Sequence, residues 1–263
     1  MTPTITRPAD HPLVGLEMVD GDVAVLTLDD VEHRNALSIE LSLDLGAAVD
    51  AALAAGAEAI VLRAAGPVFC AGGALDDLVA PRATLEETYT GFMALAEAPV
   101  VTVAAVGGAA IGAGVNLPLA CDVVVTTPSA RFDPRLLDLG IHPGGGQLWR
   151  LVHRVGRQGA AALSLCGDVL DGAEAEAKGL AWRCVADDDL VPTALRLARR
   201  AAGRPRAAVR RAKQTLEASL AVTTAEEAMA LELELQRQSL TDPDLPARVA
   251  ALKETLARRA PGS

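Results

Sequence analysis

Hydrophobic and polar positions along the chain form short strand-like runs that alternate with longer helical patterns. Val14 to Val19 and Val23 to Leu28 predict two strands, which Asp20-Gly21-Asp22 joins as a hairpin. From Ser38 to about Ala55 the apolar positions recur on one helical face, with Ser38 as the N-cap and Gly56 after the end. The beginning of the chain therefore predicts strand, strand and helix.

The same alternation continues through the middle of the chain and then stops. Further strands are predicted at 59–63, 100–106, 122–126, 130–132 and 180–185. Helices are predicted at 85–98, after the glycines of 107–114, and at 144–155, 156–167 and 173–178. Four consecutive helical patterns follow, at 188–202, 205–219, 224–240 and 243–259. This order predicts an α/β core with a helical C-terminal part.

Two glycine-rich segments differ from the other connections because each follows an apolar run and precedes a helical pattern. Phe69 to Leu78 contains Gly72-Gly73, and Gly107 to Gly114 contains four glycines. The small residues of the first segment predict a turn that packs no core. Glycine lets another molecule approach backbone amides, and two such turns can direct N–H groups at one oxyanion. A dinucleotide loop is disfavoured, because the second segment lacks G-x-G-x-x-G spacing.

The chain resembles the enoyl-CoA hydratase/isomerase (crotonase) superfamily in the two glycine segments, in Cys121-Asp122 and in Glu32-His33-Arg34-Asn35-Ala36-Leu37. The resemblance runs from about Val14 into the C-terminal helices. It implies a crotonase-like spiral of ββα units with a C-terminal helical trimerisation region. The predicted domains are a flexible, Pro- and Thr-rich N-terminus at 1–12, an acyl-CoA-binding core at 13–190 and a helical region at 191–263.

The resemblance also implies a ligand and an assembly. An acyl-CoA thioester would be the substrate, with coenzyme A arriving as part of it and no permanently bound cofactor or metal. The protein would be a homotrimer or a dimer of trimers, and apolar residues in the late helices, such as Leu220 and Met229, agree with buried interfaces.

Several residues match functional positions of the family motifs. Gly73 and Ala113 match the two residues whose N–H groups form the oxyanion hole, and Arg34 matches the segment beside the CoA nucleotide. Tyr89 and Met93 lie one helical turn apart and are candidates for the acyl pocket, although this spacing is also typical of core residues. The residues that would follow pantetheine and adenine by backbone contact are Ala36, Ala71 and Leu75.

The two catalytic glutamates of the family hydratases are replaced. Their positions hold Asn116, two residues after the second glycine segment, and Leu136, four residues before Gly140. Neither an amide nor an alkyl side chain acts as a general base near neutrality. The sequence therefore predicts enolate chemistry in an oxyanion hole without ordinary two-glutamate hydration.

Two other side chains are candidates for proton transfer. Asp138 lies among leucines in the same loop, where burial would raise its pKa toward that of a base, if the loop is extended and the side chain faces the pocket. His142, before Pro143, is the second candidate. With either residue the reaction would be isomerisation, decarboxylation or thioester hydrolysis. A non-catalytic acyl-CoA-binding protein is the alternative from another class.

Composition and charge limit the partners. The chain has 263 residues and a formal net charge of −10, which argues against general affinity for nucleic acid or an acidic membrane. Four cysteines without CxxC or CxxH spacing favour buried free thiols. The N-terminus shows no apolar signal core, and no run approaches transmembrane length. These features predict a cytoplasmic protein.

Overall fold

A computed structural model describes the protein from residue 12 to residue 259. The predicted flexible segment 1–12 therefore lies, apart from Pro12, outside the described residues. The chain divides after Arg204 into two compact units. The predicted boundary at 190/191 is too early, because the helix that begins at Leu190 packs in the core of the first unit.

The first unit contains strands and helices in alternation. Its strands are β1 Val14–Val19, β2 Val23–Leu28, β3 Ala59–Ala64, β4 Val68–Cys70, β5 Val101–Val106, β6 Ala109–Ile111, β7 Val123–Thr126, β8 Arg131–Asp133, β9 Leu170–Asp171 and β10 Arg183–Cys184. Its helices are α1 Ile39–Ala54, α2 Leu75–Val79, α3 Leu85–Glu97, α4 Asn116–Ala120, α5 Gln147–Leu165, α6 Gly172–Ala177 and α7 Leu190–Ala202. The predicted α/β core is confirmed.

The strands form two sheets. The larger sheet has the order β1-β2-β3-β5-β7-β10, in which β1 and β2 form the predicted antiparallel hairpin and the other neighbours are parallel. The smaller sheet has the order β4-β6-β8-β9, and its first three strands are parallel. Parallel strands end at a common edge, so the segments after β4, β6 and β8 leave the smaller sheet on the same side.

The structure corrects the prediction that the first glycine segment packs no core. Its first two residues, Phe69 and Cys70, belong to β4 and are buried. The second segment is also not one turn, because β6 separates Gly107-Gly108 from Gly112. A short 3₁₀ turn at Gly112–Val115 then leads into α4.

The larger sheet buries both faces. On one face Leu26, Ile60 and Leu62 belong to the main core with residues of α1 and α3. On the other face Val25, Val61 and Val103 pack with residues of α7. Strands that are buried on both faces read as continuous apolar runs, which is why 59–62 and 100–106 were recognisable in the sequence.

The second unit is helical. It contains α8 Arg206–Ser219, α9 Ala225–Leu240 and α10 Leu245–Arg259, so the predicted C-terminal helical region is confirmed. Its helices expose large apolar side chains, namely Leu216, Leu220, Met229, Leu233, Leu240, Val249, Leu252 and Leu256. None of the helices within residues 12–259 combines the length and hydrophobicity needed for a transmembrane span.

Candidate active site

Pairing of β4 with β6 brings the two glycine segments together. The strands are parallel, with Val68 opposite Ala109 and Cys70 opposite Ala110. The chain therefore leaves both strands at one edge of the smaller sheet, with Gly72 and Gly73 beside the Gly112–Val115 turn. The sequence predicted both segments, and this pairing supplies the contact between them.

Close packing explains why glycine occupies two of these positions. Gly72 has a φ of 103°, and a Cβ atom built there would lie 2.8 Å from Ile111 O and 3.8 Å from Ala113 N. A Cβ on Gly114 would lie 2.6 Å from Cys70 O. Each glycine thus lets the backbone of one segment touch the other, which side chains would prevent.

The backbone amides of Gly73 and Ala113 are available at this contact. Among residues 12–259, neither amide donates a hydrogen bond to a protein acceptor. Ala113 is the second residue of the 3₁₀ turn, where N–H groups precede the internal hydrogen bonds. The buried Gln147 holds this turn, because its Nε2 donates to Gly112 O at 2.8 Å. Two neighbouring free donors can bind one carbonyl oxygen as negative charge develops on it.

Cys70 packs between the two glycine segments. Its thiol is not a nucleophile. Burial raises the pKa of its thiol to about 12, although the N–H groups of Gly72 and Leu37 interact with the sulfur and act in the opposite direction. The thiol therefore stays protonated near neutral pH, and a protonated thiol is a poor nucleophile. Its contribution is to fill the space between the segments.

The predicted CoA-contacting residues lie along the first glycine segment. Ala71 N donates to Arg34 O at 3.1 Å, and Leu37 N donates to Gly72 O at 2.7 Å. The structure thus brings Arg34, Ala36, Ala71 and Leu75 to the neighbourhood of Gly73. The Arg34 side chain is exposed, and Leu75 is 68% exposed at the start of α2.

Asn35 is a residue of this region that the sequence analysis did not single out. It is fully buried with a φ of 53°, and its Nδ2 donates to Ala65 O at 3.0 Å and to Val68 O at 2.9 Å. These bonds fix the loop that carries Arg34 onto the residues around β4. Asn adopts the left-handed conformation more readily than most residues, so the Asn within this polar motif was the available signal.

Asn116 lies at the start of α4, one turn after Ala113. Its side chain is 1% exposed, and Nδ2 donates to Gly144 O at 3.3 Å. Its Oδ1 has no hydrogen-bond partner among the described residues. The residue that the sequence predicts at the first glutamate position is therefore a neutral amide with one unused acceptor.

Leu136 also lies at the second glycine segment. It belongs to a 3₁₀ turn, Arg135–Leu139, and its Cδ2 would be 3.6 Å from a Cβ built on Gly112. The alkyl group of Leu136, the residue that the sequence predicts at the second glutamate position, thus covers the turn that contains Ala113.

The surroundings of Asp138 and His142 differ from those expected for a buried base. The 3₁₀ conformation does not direct Asp138 to the side of Leu136, as an extended loop would. Asp138 is exposed, and its neighbours Leu137 and Leu139 are 41% and 61% exposed. The prediction that these leucines desolvate the Asp138 carboxylate is therefore wrong. His142 is exposed as well.

Tyr89 and Met93 lie on the side of α3 that faces the glycines at 144–146. The Tyr89 hydroxyl would be 2.2 Å from a Cβ built on Gly144. Met93 Sδ accepts a 3.6 Å hydrogen bond from Arg150, which also donates to Gly145 O. Both predicted pocket residues are therefore partly buried beside the loop that Asn116 contacts.

Phe92 and Arg150 complete this group and were missed. The Phe92 and Tyr89 ring centroids are 5.2 Å apart, and the Arg150 guanidinium lies 5.9 Å from the centre of the Phe92 ring. A Cβ on Gly145 would meet Phe92 Cζ at 2.5 Å. Phe92 lies three residues after Tyr89, which was the available signal. Arg150 joins the group through a long-range contact that periodicity does not reveal.

Asp133 lies at the end of β8, and its carboxylate has a structural role. Burial acts to raise its pKa, but hydrogen bonds from Arg135 and Arg131 outweigh burial and hold the pKa below its usual value. A carboxylate with a lowered pKa is a weak base at neutral pH. Within the described part of the chain, His, Cys, Asp and Glu side chains form no group of three or more that could bind a metal ion.

Comparison with known proteins gives consistent matches over most of the chain. The enoyl-CoA hydratase/isomerase family model matches residues 19–257. A probable enoyl-CoA hydratase, EchA14 of Mycobacterium tuberculosis, is 42% identical over 246 residues, which cover 89% of this chain and 94% of that protein. The 1,2-epoxyphenylacetyl-CoA isomerase of Escherichia coli is 32% identical over 260 residues, covering 94% and 96%. The crystal structure of a putative enoyl-CoA hydratase from Thermobifida fusca, in complex with acetoacetyl-CoA, superposes with a TM-score of 0.78 at 28% identity. The match covers 88% of this chain and 96% of that one.

Proposed function

The chain belongs to the enoyl-CoA hydratase/isomerase family, and we propose that it binds an acyl-CoA thioester and stabilises the enolate of that thioester between the amides of Gly73 and Ala113. One observation carries the proposal. The two glycine segments touch at Gly72 and Ile111, and the amides of Gly73 and Ala113 lack a protein acceptor among the described residues. Each preorganised donor of this kind contributes about 3 kcal/mol to stabilising a developing oxyanion.

Ordinary hydration by two glutamates is not part of the proposal. Asn116 and Leu136 occupy the positions of the glutamates, and neither side chain deprotonates water. An isomerisation, decarboxylation or thioester hydrolysis needs the same oxyanion hole with a different acid or base, for which Asp138 and His142 are the candidates. Similarity to an acyl-CoA isomerase supports isomerisation within this group.

A non-catalytic acyl-CoA-binding protein is the second candidate. It is favoured by the burial of Asn116 and by the alkyl side chain of Leu136 over the second glycine segment. Such a protein would use the two amides to bind the thioester carbonyl without turning the ligand over.

In either case the ligand and the assembly are proposed from the resemblance to the family. The exposed Arg34 would lie beside the CoA phosphates, with which guanidinium groups form charge-assisted hydrogen bonds. Coenzyme A would be the carrier part of the ligand, and no separate cofactor is proposed. The exposed apolar side chains of α8, α9 and α10 fit contacts between copies in a trimer or a dimer of trimers.

Two measurements on the full chain test the function. Turnover is followed by the absorbance of the conjugated thioester, with crotonyl-CoA and longer enoyl-CoAs. Binding to the oxyanion hole is followed by the infrared C=O stretch of butanoyl-CoA carrying ¹³C at the thioester carbonyl. We expect the stretch to shift to lower frequency in the wild-type complex, because two N–H donors polarise the carbonyl.

Paired variants separate the amide from the side chain. Gly73→Pro and Ala113→Pro each remove one N–H donor, whereas Gly73→Ala and Ala113→Ser retain it. A Cβ on Gly73 would meet only Leu78 Cδ2, at 3.9 Å, so the alanine control fits. The proline variants should lose most of the carbonyl shift, together with turnover or affinity, while the controls keep them. Folded proline variants with full function would exclude the assignment.

A further inference from the structure

Gly73 is paired with Leu37 through an isolated parallel β-bridge. Leu37 N donates to Gly72 O at 2.7 Å, and Ala74 N donates to Leu37 O at 3.3 Å. These two bonds lie on either side of Gly73, so the N–H of Gly73 itself is directed away from Leu37. The position of this amide therefore depends on how the two chains are held where they leave the bridge.

The two helices that follow the bridge differ in how firmly packing holds them. α1 begins two residues after Leu37, and its Leu41 and Leu45 are fully buried. α2 begins two residues after Gly73, has only five residues and buries none of them. Its last residue, Val79, is 88% exposed. A segment with so few buried contacts has low local stability, so α2 needs other contacts to keep its position.

The guanidinium group of Arg82 supplies such contacts. Its Nη1 and Nη2 donate to the two carboxylate oxygens of Glu40, in the first turn of α1, at 2.5 and 3.0 Å. Its Nε and Nη2 donate to the two carboxylate oxygens of Asp77, in α2, at 2.6 and 3.1 Å. Bidentate pairs of this kind fix orientation as well as distance. Arg82 thus joins the exposed α2 to the buried α1.

The cluster of Glu40, Arg82 and Asp77 differs from a single surface ion pair. The side chains of Glu40 and Asp77 are only 26% and 23% exposed. The hydrogen bonds from Arg82 hold the pKa of Glu40 below its usual value, although partial burial acts in the opposite direction, so Glu40 is ionised at neutral pH. Exposed single pairs contribute little to stability, whereas charge networks with bidentate geometry contribute more.

We propose that Arg82 is a positioning residue, which joins Glu40 to Asp77 and so holds α2 and the preceding Gly73 amide in place for the thioester oxygen. Asp77 lies four residues after Gly73, so a displacement of α2 is passed directly to the oxyanion segment. The guanidinium is occupied by the two carboxylates, and its effect on the ligand is therefore indirect. The inference rests on the proposed binding of the thioester at Gly73 and Ala113.

Variants of the full chain test this role with butanoyl-CoA, through its affinity in calorimetric titration and its infrared carbonyl shift. Arg82→Gln should weaken binding by about threefold to tenfold and reduce the carbonyl shift. Glu40→Gln should change both in the same direction. Arg82→Lys should restore part of both, because lysine keeps the charge without the planar fork. Arg199→Gln is the matched control, since it breaks an exposed ion pair on α7, 2.6 Å from Asp20, and should change neither measurement.

Each outcome decides a different statement. A full carbonyl shift in folded Arg82→Gln overturns the positioning role, even if its melting temperature falls. Weaker binding by Arg82→Gln with tighter binding by Glu40→Gln would mean that Arg82 contacts the CoA phosphates directly, which also overturns it. A wild-type complex without any carbonyl shift overturns the proposed function itself. If Arg82→Gln folds poorly, Glu40→Gln and Asp77→Asn provide the same test, because each removes one carboxylate partner and retains Arg82.

Discussion

Replacing Gly72 by alanine is the most direct test of the contact between the two glycine segments. The change removes no N–H donor and adds one methyl group. That methyl would lie 2.8 Å from Ile111 O, whereas uncrowded heavy-atom contacts lie at about 3.5 Å or more. The Ile111 carbonyl would have to retreat by roughly 0.5 Å or more. Ala113, two residues further on, carries the second amide and would move with it.

The expected effect has two components. An alanine at a φ of 103° is strained, which costs about 1 to 3 kcal/mol of unfolding free energy. Displacement of Ala113 adds a functional loss, because a misplacement of about 1 Å in a catalytic site can cost a hundredfold in rate. We expect Gly72→Ala to lower turnover, or acyl-CoA affinity if there is no turnover, by roughly tenfold to a hundredfold. The infrared shift of the bound thioester carbonyl should shrink in parallel.

Gly56→Ala separates strain from contact. Gly56 follows α1 with a φ of 91°, and a Cβ there would meet nothing within 4 Å. It should lose a similar part of its unfolding free energy in urea titrations and keep the wild-type carbonyl frequency. If Gly72→Ala also kept the wild-type frequency and activity, the two segments would not position the amides jointly, and the reasoning would be wrong.

Three further predictions concern other parts of the chain. Glutamate introduced at both Asn116 and Leu136 should raise crotonyl-CoA hydration, seen as faster loss of the conjugated thioester absorbance; no increase in the folded double variant would mean that these positions do not face the substrate. With a thiol reagent at pH 8, the exposed Cys166 should react first. Cys70 should react only on unfolding, because burial raises the pKa of its thiol to about 12. Labelling of both cysteines at equal rates in the native protein would contradict the buried position of Cys70. Light scattering at micromolar concentration should give a trimer or hexamer mass, and a monomer mass would refute the proposed assembly.

The sequence predicted those elements that carry their own local signal. Ser38 caps α1 through a 3.1 Å hydrogen bond from Leu41 N, and Thr84 begins α3 with a capping box, so these helices show their starts as well as their periodicity. The larger sheet was recognisable for a similar reason, since strands covered on both faces are long apolar runs. Local propensity and tertiary packing agree in these elements.

The short strands β4, β6 and β9 were not predicted, because they carry no such signal. β4 and β6 have three residues each, and both adjoin glycines, so the segments that contain them were read as turns. They are strands because parallel neighbours supply their hydrogen bonds, which is a property of the fold rather than of the segment. The contact between the glycine segments depends on these strands. The motifs could therefore name Gly73 and Ala113, but only the pairing brings them together.

The acid or base group is the feature of the site that the sequence alone predicts least well. Asp138 lies two residues after Leu136, and in an extended loop this spacing directs both side chains to the same side. In the 3₁₀ turn that the chain adopts, each residue advances about 120°, so the two side chains diverge. The spacing is the same in both cases, and only the backbone conformation decides which group reaches the substrate. Gly144, in contrast, is approached by residues distant in sequence, Tyr89 from α3 and Asn116 from α4. Polar groups that act on the substrate are therefore to be sought around Gly144, where three separate segments meet, as well as at the proposed Asp138 and His142.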